Sequence, residues 1–214
     1  MVEIGGLYKE GGVSEAIKGP EGMNEQEVLE ILRETGAYLK GHFLLTSGLH
    51  SDAYIEKFRV LQHPNYAEML CREIARRFED ERISVVIGPT TGGIIISYEV
   101  AKALGARAIF AEREDGRRTL RRGFRIEPGE RTLVVEDVVT TGSSVRQVLQ
   151  VVEESKGCIV GVGLLVDRTG GKIDFGVRTE SLLRLPLEAY PPDECPLCKA
   201  GVPLARLGGD IAKF

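Results

Sequence analysis

No stretch of the chain approaches the ~20 consecutive apolar residues that a membrane helix requires. The opening Met1-Val2-Glu3-Ile4-Gly5-Gly6 carries neither the basic patch nor the apolar segment of a secretory signal. The expectation is a cytoplasmic protein with no membrane partner. A basic excess is missing too: 28 lysines and arginines are mixed along the chain with 32 acids, for a net charge of −4. Nucleic-acid binding through a broad positive field is therefore not expected, and any anion site has to be local. Cysteine is scarce, and four in 214 residues do not describe a disulfide framework for a cytosolic chain. Asn and Gln are few while charged residues make up 28%, a thermophile-like balance that bears no functional weight.

What is present is enough apolar material, 43%, for one main core. Residues 1–22 are Gly-rich and aperiodic and read as an extension. Asn24 with Glu27 three residues on, ahead of Val28, Leu29, Ile31 and Leu32, predicts a capped amphipathic helix closing near Gly36. His42 to Thr46 reads as a strand followed by a turn at Ser47-Gly48, and Pro64 opens a second helix with Met69, Ile74 and Phe78 inward. From Ser84 the pattern turns regular. Apolar runs at Ser84–Gly88, Ala106–Ala111, Thr132–Asp137 and Cys158–Val166 alternate with helices over Gly93–Leu104 and Ser144–Glu154. Continuous Val/Ile/Leu strands alternating with helices predict an α/β fold, a mostly parallel sheet covered by helices on both faces. Ligands bind outside the carboxyl ends of such strands, so the loops at 89–93, 138–143 and 167–171 are expected to line one crevice. No internal repeat is evident, and the Pro-rich tail from Leu182 is expected to be extended or looped.

The most informative string is Glu136-Asp137-Val138-Val139-Thr140-Thr141-Gly142-Ser143-Ser144, where an apolar strand delivers two acids and a small, hydroxylated loop leads into a helix. Backbone N–H groups at the helix start and the Thr and Ser hydroxyls can converge on one phosphate monoester, and Gly142 permits close approach. Carboxylates would repel that phosphate. They suit sugar hydroxyls instead, and the positive charge that develops when a bond to an anomeric carbon breaks. A ribose 5-phosphate spans both. The blander reading, solvated acids and a Ser helix cap, is disfavoured for so ordered a string. A Gly-x-x-x-x-Gly-Lys-Ser/Thr loop is absent, and Gly161-x-Gly163 lacks the third glycine of a dinucleotide fingerprint.

This string resembles the phosphoribosyl pyrophosphate (PRPP) signature of type I phosphoribosyltransferases, and the likeness runs from about Lys40 to Arg168. It implies that Glu136 and Asp137 hold the ribose 2′- and 3′-hydroxyls and that the segment to Ser144 holds the 5′-phosphate. Gly88-Pro89-Thr90-Thr91-Gly92-Gly93 looks like the family's pyrophosphate loop, with Thr90, Thr91 and Gly92 as contacts. Many orotate enzymes have a lysine where Gly92 stands, which would leave pyrophosphate to backbone donors and Thr hydroxyls. A turn needing glycine only for packing is the alternative.

Glu112 to Gly123 is charged, glycine-containing and rich in arginine. It reads first as a solvated loop, yet an arginine cluster in an acidic chain suits a polyanion, and closure would exclude water. The resemblance implies that Arg113, Arg117 and Arg118 assist catalysis, in a loop closing over the neighbouring active site of a homodimer. His42 to Tyr54 resembles the hood segment of orotate phosphoribosyltransferases, with Thr46 in place of a common lysine, a departure of a thermophile-type branch. Orotate would then meet Tyr54, Ile55, Thr140 and Arg168, whose guanidinium offers a fork of donors to a planar acceptor-rich base. An exposed Asp167–Arg168 ion pair is the alternative.

His42, His50 and His63 are scattered, no pair has metal-ligand spacing, and each reads as a packing or surface residue. Cys195-Pro196-Leu197-Cys198 is a single C-x-x-C, whereas structural zinc needs four ligands, and Cys71 and Cys158 fall in core elements. Partly buried thiols are favoured over a disulfide or a site completed across a dimer. Mg²⁺ is expected to be held mainly by PRPP oxygens, with no firm protein ligand. The reading is a type I phosphoribosyltransferase fold: extension 1–22, small N-terminal hood 23–60, PRPP-binding core 61–181, and a tail 182–214 packing near the hood. The function is Mg²⁺-dependent transfer of phosphoribose from PRPP to orotate, with Asp137 among the catalytic residues. The alternatives are a purine or uracil as the accepting base, or a PRPP-sensing regulator without catalysis.

Overall fold

The computed structural model describes residues 22–45 and 47–206, so the expected extension, Gly22 apart, and Thr46 lie outside the described residues. The apolar runs become β3 (Val85–Pro89), β4 (Arg107–Glu114), β6 (Arg131–Val139) and β7 (Cys158–Asp167). With β5 (Arg117–Leu120) and β8 (Thr179–Arg184) they form a six-stranded sheet in the order β5-β4-β3-β6-β7-β8. Every neighbouring pair is parallel except β4–β5. The mostly parallel α/β sheet read from the sequence is therefore present.

Successive side chains of a strand point to opposite faces. Val86, Leu133, Val135 and Leu165 accordingly join one core with Val28, Ile31 and Leu32 of α1 (Glu25–Glu34), Leu70 and Ile74 of α3 (Pro64–Arg76), and Ile96 and Val100 of α4 (Gly92–Leu104). Val85, Ile87, Val134, Val162 and Leu164 face the other way, onto Val145, Val148, Leu149 and Val152 of α5 (Ser143–Glu154). The Asn24–Glu27 capping box forms, a single-turn helix α2 (Phe58–Leu61) lies ahead of α3, and Pro64 occupies the first turn of α3. Gly161 and Gly163 serve packing: an added Cβ would come within 2.6 Å of the Arg178 carbonyl oxygen and of Ile74 Cγ2, respectively. Among the described residues no helix is long and apolar enough to cross a membrane.

Two expectations need correction. The charged segment after β4 is a β-hairpin rather than a loop. Strand β4 continues to Glu114, turns through Asp115 (φ 47°) and Gly116 (φ 81°), and returns as β5 with Arg113 opposite Arg118. An Asp-Gly pair with positive φ at both positions is a hairpin signal that the charge run obscured. Two of its five arginines are ion-paired on the hairpin itself, Arg121 with Glu114 at 3.0 Å and Arg122 with Glu112 at 2.9 Å.

The second correction concerns the histidines. The hood is a small sheet in the order β2-β1-β9, built from β1 (Tyr38–Leu44), β2 (His50–Ile55) and the tail strand β9 (Ala205–Arg206). The tail is thus less irregular than expected, with β9 and a helical turn α6 (Pro196–Lys199). Antiparallel pairing of β1 with β2, with a register irregularity between Lys40 and Phe43, brings the His42 and His50 rings to 4.9 Å and buries both. Cys195 and Cys198 come up against them from the tail. Spacing along the chain concealed this, since some 150 residues separate the two pairs.

A methyl group at Gly161 meets backbone, which cannot move aside cheaply. Gly161→Ala is expected to lower stability by about 1–3 kcal/mol, seen as a lower urea midpoint with unchanged slope.

Candidate active site

The carboxyl ends of β3, β6 and β7 carry the loops singled out in the sequence, and the hood hairpin leans over them. A cleft of about 540 Å³ is lined by Tyr54, Ile55 and Lys57 from the hood, Val138, Thr140 and Thr141 from the loop after β6, and Arg168 after β7. It shares Val138, Thr140 and Thr141 with a small cavity of about 40 Å³ that is bounded by Glu136 and by residues 138–145. The loops after β6 and β7 and the hood contacts are thereby brought to one place.

In the smaller cavity Gly142 opens α5 with φ 74°, and an added Cβ would lie 3.0 Å from the Phe175 ring, so both backbone and packing call for glycine. Gly142 has no side chain to cap α5; the Ser143 N–H donates to Thr141 Oγ1 at 3.4 Å, and the Ser144 and Val145 N–H groups are left facing the bend formed by Thr140, Thr141 and Gly142. A helix start presented in this way is an anion cradle. Val139 turns its side chain into the core and gives its carbonyl to the Arg168 N–H.

Glu136 and Asp137 sit at the end of β6, 7% and 1% exposed. Burial pushes the Glu136 carboxyl up to about 8, with repulsion from Asp137 adding to it. Asp137 is likewise held above the ordinary carboxylate range by burial, against the pull of a lysine. That lysine is Lys57, whose Nζ lies 3.1 Å from Asp137 Oδ1. Burial would lower the ammonium's pKa, but the field of Asp137 overrides this and raises it. Sequence reasoning missed Lys57. The available signal was the acid pair itself, because two buried carboxylates require a cation and Glu56-Lys57 directly follows the Tyr54-Ile55 contacts.

Gly92 explains why the cation comes from elsewhere. A Cβ there would fall 1.8 Å from Asp137 Oδ2 and 3.5 Å from Lys57 Cε, so the loop passes too close to the acid to carry a side chain. Gly88 and Gly93 are glycines for packing, as the blander reading held: a Cβ on Gly88 would meet the Gly93 carbonyl oxygen at 2.5 Å. The Thr90–Thr91 peptide is cis. Of the three sequence-nominated arginines, Arg118 reaches this loop, its Nη1 donating to Thr90 Oγ1 at 2.7 Å. Arg113 shares that face of the hairpin and is exposed, as is Arg117 opposite Glu114.

Arg168 is not ion-paired with Asp167. Asp167 accepts from the Thr169 and Gly171 N–H groups, both at 2.8 Å, and so holds the next turn. Burial lowers the pKa of the Arg168 guanidinium, and the nearby Tyr54 pulls the other way. Among the described residues, Arg168 Nε and Asp137 Oδ2 are buried without hydrogen-bond partners. Buried polar atoms are rarely left so, and these two belong to the residues that frame the cleft.

A Phosphoribosyl transferase domain model matches residues 59–174. The sheet and this match place the chain in the type I phosphoribosyltransferase class. The orotate phosphoribosyltransferase of Pelotomaculum thermopropionicum is 59% identical over 186 residues, covering 87% of this chain and 98% of that one. That of Desulforamulus reducens is 54% identical, over 87% of this chain and 97% of its own. The solved Mycobacterium tuberculosis orotate phosphoribosyltransferase, crystallised with Fe(III) dicitrate, superposes with a TM-score of 0.64 at 29% identity, over 75% of this chain and 96% of that one. The chain belongs to the orotate phosphoribosyltransferase family.

The raised carboxyl has a stability signature. Between pH ~4.5 and ~8 the unfolded chain has released the Glu136 proton while the folded protein keeps it, so stability falls as pH rises across that window. Melting temperatures of ligand-free protein are expected to decline from pH 5 to 8, and Glu136→Gln to flatten that decline.

Proposed function

We propose that the cleft transfers the phosphoribosyl group of PRPP to orotate, giving orotidine 5′-monophosphate and pyrophosphate, as in the relatives that share the family. The observation that carries this is the pairing of an anion cradle at Gly142–Ser144 with two buried acids one strand-end away. One molecule must then present a monophosphate and a diol together. The Thr140–Ser144 bend holds the 5′-phosphate, and Glu136 and Asp137 hold the ribose hydroxyls. Arg168, with an unpartnered Nε, receives the base together with Tyr54, Thr140 and backbone groups at Ile55.

In the reaction the C1–O bond to pyrophosphate breaks, a bond from a ring nitrogen of orotate to C1 forms on the opposite face, and the proton of that nitrogen passes to water or to the departing pyrophosphate. Positive charge on the ribose ring is greatest between these events; the Asp137 carboxylate is placed to stabilise that charge, and Glu136, whose carboxyl burial pushes up to about 8, to hydrogen-bond a ribose hydroxyl. Lys57 and Arg118 supply positive charge beside the Thr90–Gly92 loop, where the departing pyrophosphate would lie. Mg²⁺ fits this donor set, because Asp137 Oδ2 is an unpartnered hard oxygen and the ion otherwise binds substrate phosphates. When bound, it would neutralise pyrophosphate charge. Arg113 and Arg117, exposed on the hairpin, are left to serve the neighbouring cleft of a homodimer.

A panel of orotate, uracil and adenine assayed for PRPP-dependent pyrophosphate release tests the reading; turnover with another base and none with orotate would overturn it. Arg168→Ala is expected to raise the orotate KM about 10- to 100-fold with little change for PRPP, as for a lost charge-assisted hydrogen bond. Lys57→Ala is expected to lower kcat by at least about tenfold, since it strips a buried carboxylate of its counter-charge.

A further inference from the structure

We infer that His42, His50, Cys195 and Cys198 form a structural zinc site that ties the C-terminal tail to the hood. The four ligand atoms lie within 4.8 Å of one another. Cys195 Sγ is 3.5 Å and Cys198 Sγ 3.7 Å from His42 Nε2, and Cys198 Sγ is 3.3 Å from His50 Nδ1. A tetrahedron with Zn–S of about 2.3 Å and Zn–N of about 2.0–2.1 Å has sulfur-to-nitrogen edges of roughly 3.5 Å. The fourth measured edge, His42 Nε2 to His50 Nδ1, is 2.9 Å and would open by a few tenths of an ångström around an ion.

The surroundings prepare His42 as a ligand. Its Nδ1 lies 2.8 Å from the Val202 carbonyl, which can only accept, so the ring proton resides on Nδ1 and the Nε2 lone pair faces the cluster. Cys195 is buried, Cys198 lies at the solvent edge, and a helical turn between them supplies the chelating bend, with the Lys199 N–H donating to the Cys195 carbonyl at 3.2 Å. Two thiolates and two imidazoles select zinc over Mg²⁺, and a set of four protein ligands leaves no open position for substrate. The site is thus structural and separate from the PRPP cleft. It also joins two weak attachments of the tail: the His50–Tyr190 bridge and the two-residue pairing of β9 with β1.

The test is metal analysis of untagged full-length protein, with cobalt substitution read by absorbance. The expected result is close to one zinc per chain, released when a thiol reagent modifies the cysteines, with intense tetrahedral cobalt bands and sulfur-to-cobalt charge transfer. Chelation should lower the melting temperature by several degrees and added zinc restore it. Cys195→Ser/Cys198→Ser should lose the zinc; should that chain fail to fold, His50→Cys, which offers a Cys₃His set, should retain it. Less than a tenth of an equivalent of zinc in protein from zinc-supplemented cultures, with both thiols freely reactive, would overturn the inference. So would a Cys195–Cys198 disulfide in freshly purified protein, or cobalt spectra lacking thiolate bands.

Discussion

Two carboxylates are buried side by side at the end of β6, and much of the site's architecture answers to them. Taking charge out of water is costly, and placing two like charges together is more so. The fold meets the cost in three ways. Glu136 holds its proton up to about pH 8, Asp137 takes an ammonium from the hood, and the loop after β3 gives up a side chain at Gly92 so that Asp137 has room. Such an arrangement is poorly balanced without substrate. Under the proposed function, a ribose bearing hydroxyl donors, and acquiring positive charge as its leaving group departs, would supply what the free site lacks.

The same constraint governs how the hood is used. Lys57 lies two residues past β2, at the start of the short helix Phe58–Leu61, so the counter-charge for the core's acids comes from the segment that leaves the hood. Docking the hood and completing the electrostatics of the cleft become one event. Arg118 plays a parallel part from the sheet edge, because the hairpin turn at Asp115-Gly116 folds it back onto Thr90. Burial lowers the pKa of its guanidinium, while the field of Glu136 acts in the opposite sense.

What was legible in the sequence was local or periodic. Unbroken apolar runs, the Asn24–Glu27 box, Pro64 and the ordered string from Glu136 to Ser144 each specify their structure within a few residues, and the sheet follows from them. The features that escaped depend on contacts between distant segments. Lys57 meets Asp137 across 80 positions, and His42 meets Cys195 across 153. The hairpin of β4 and β5 is a different case: its turn signal was local, but charge composition was given more weight than the Asp-Gly pair. The resemblance put Arg168 among the cleft residues, where it lies, whereas the freedom of its Nε depends on Asp167 turning to hold the 169–171 backbone.

The hood is small for the task it carries. Three short strands, one of them only two residues long, are close to the least that can hold a shape, and a sheet of that size needs outside support. One end of β2 presents Tyr54 and Ile55, with Lys57 just beyond, and the core's acids hold it there. The other end begins at His50, about 17–20 Å away for a six-residue strand. An ion gripping His42, His50 and the tail cysteines would pin that far end, so both ends of the hairpin would be fixed by charge in a layer with little apolar core of its own. The cleft contacts at Tyr54 and Lys57 would then inherit their precision from a knot that substrate never touches.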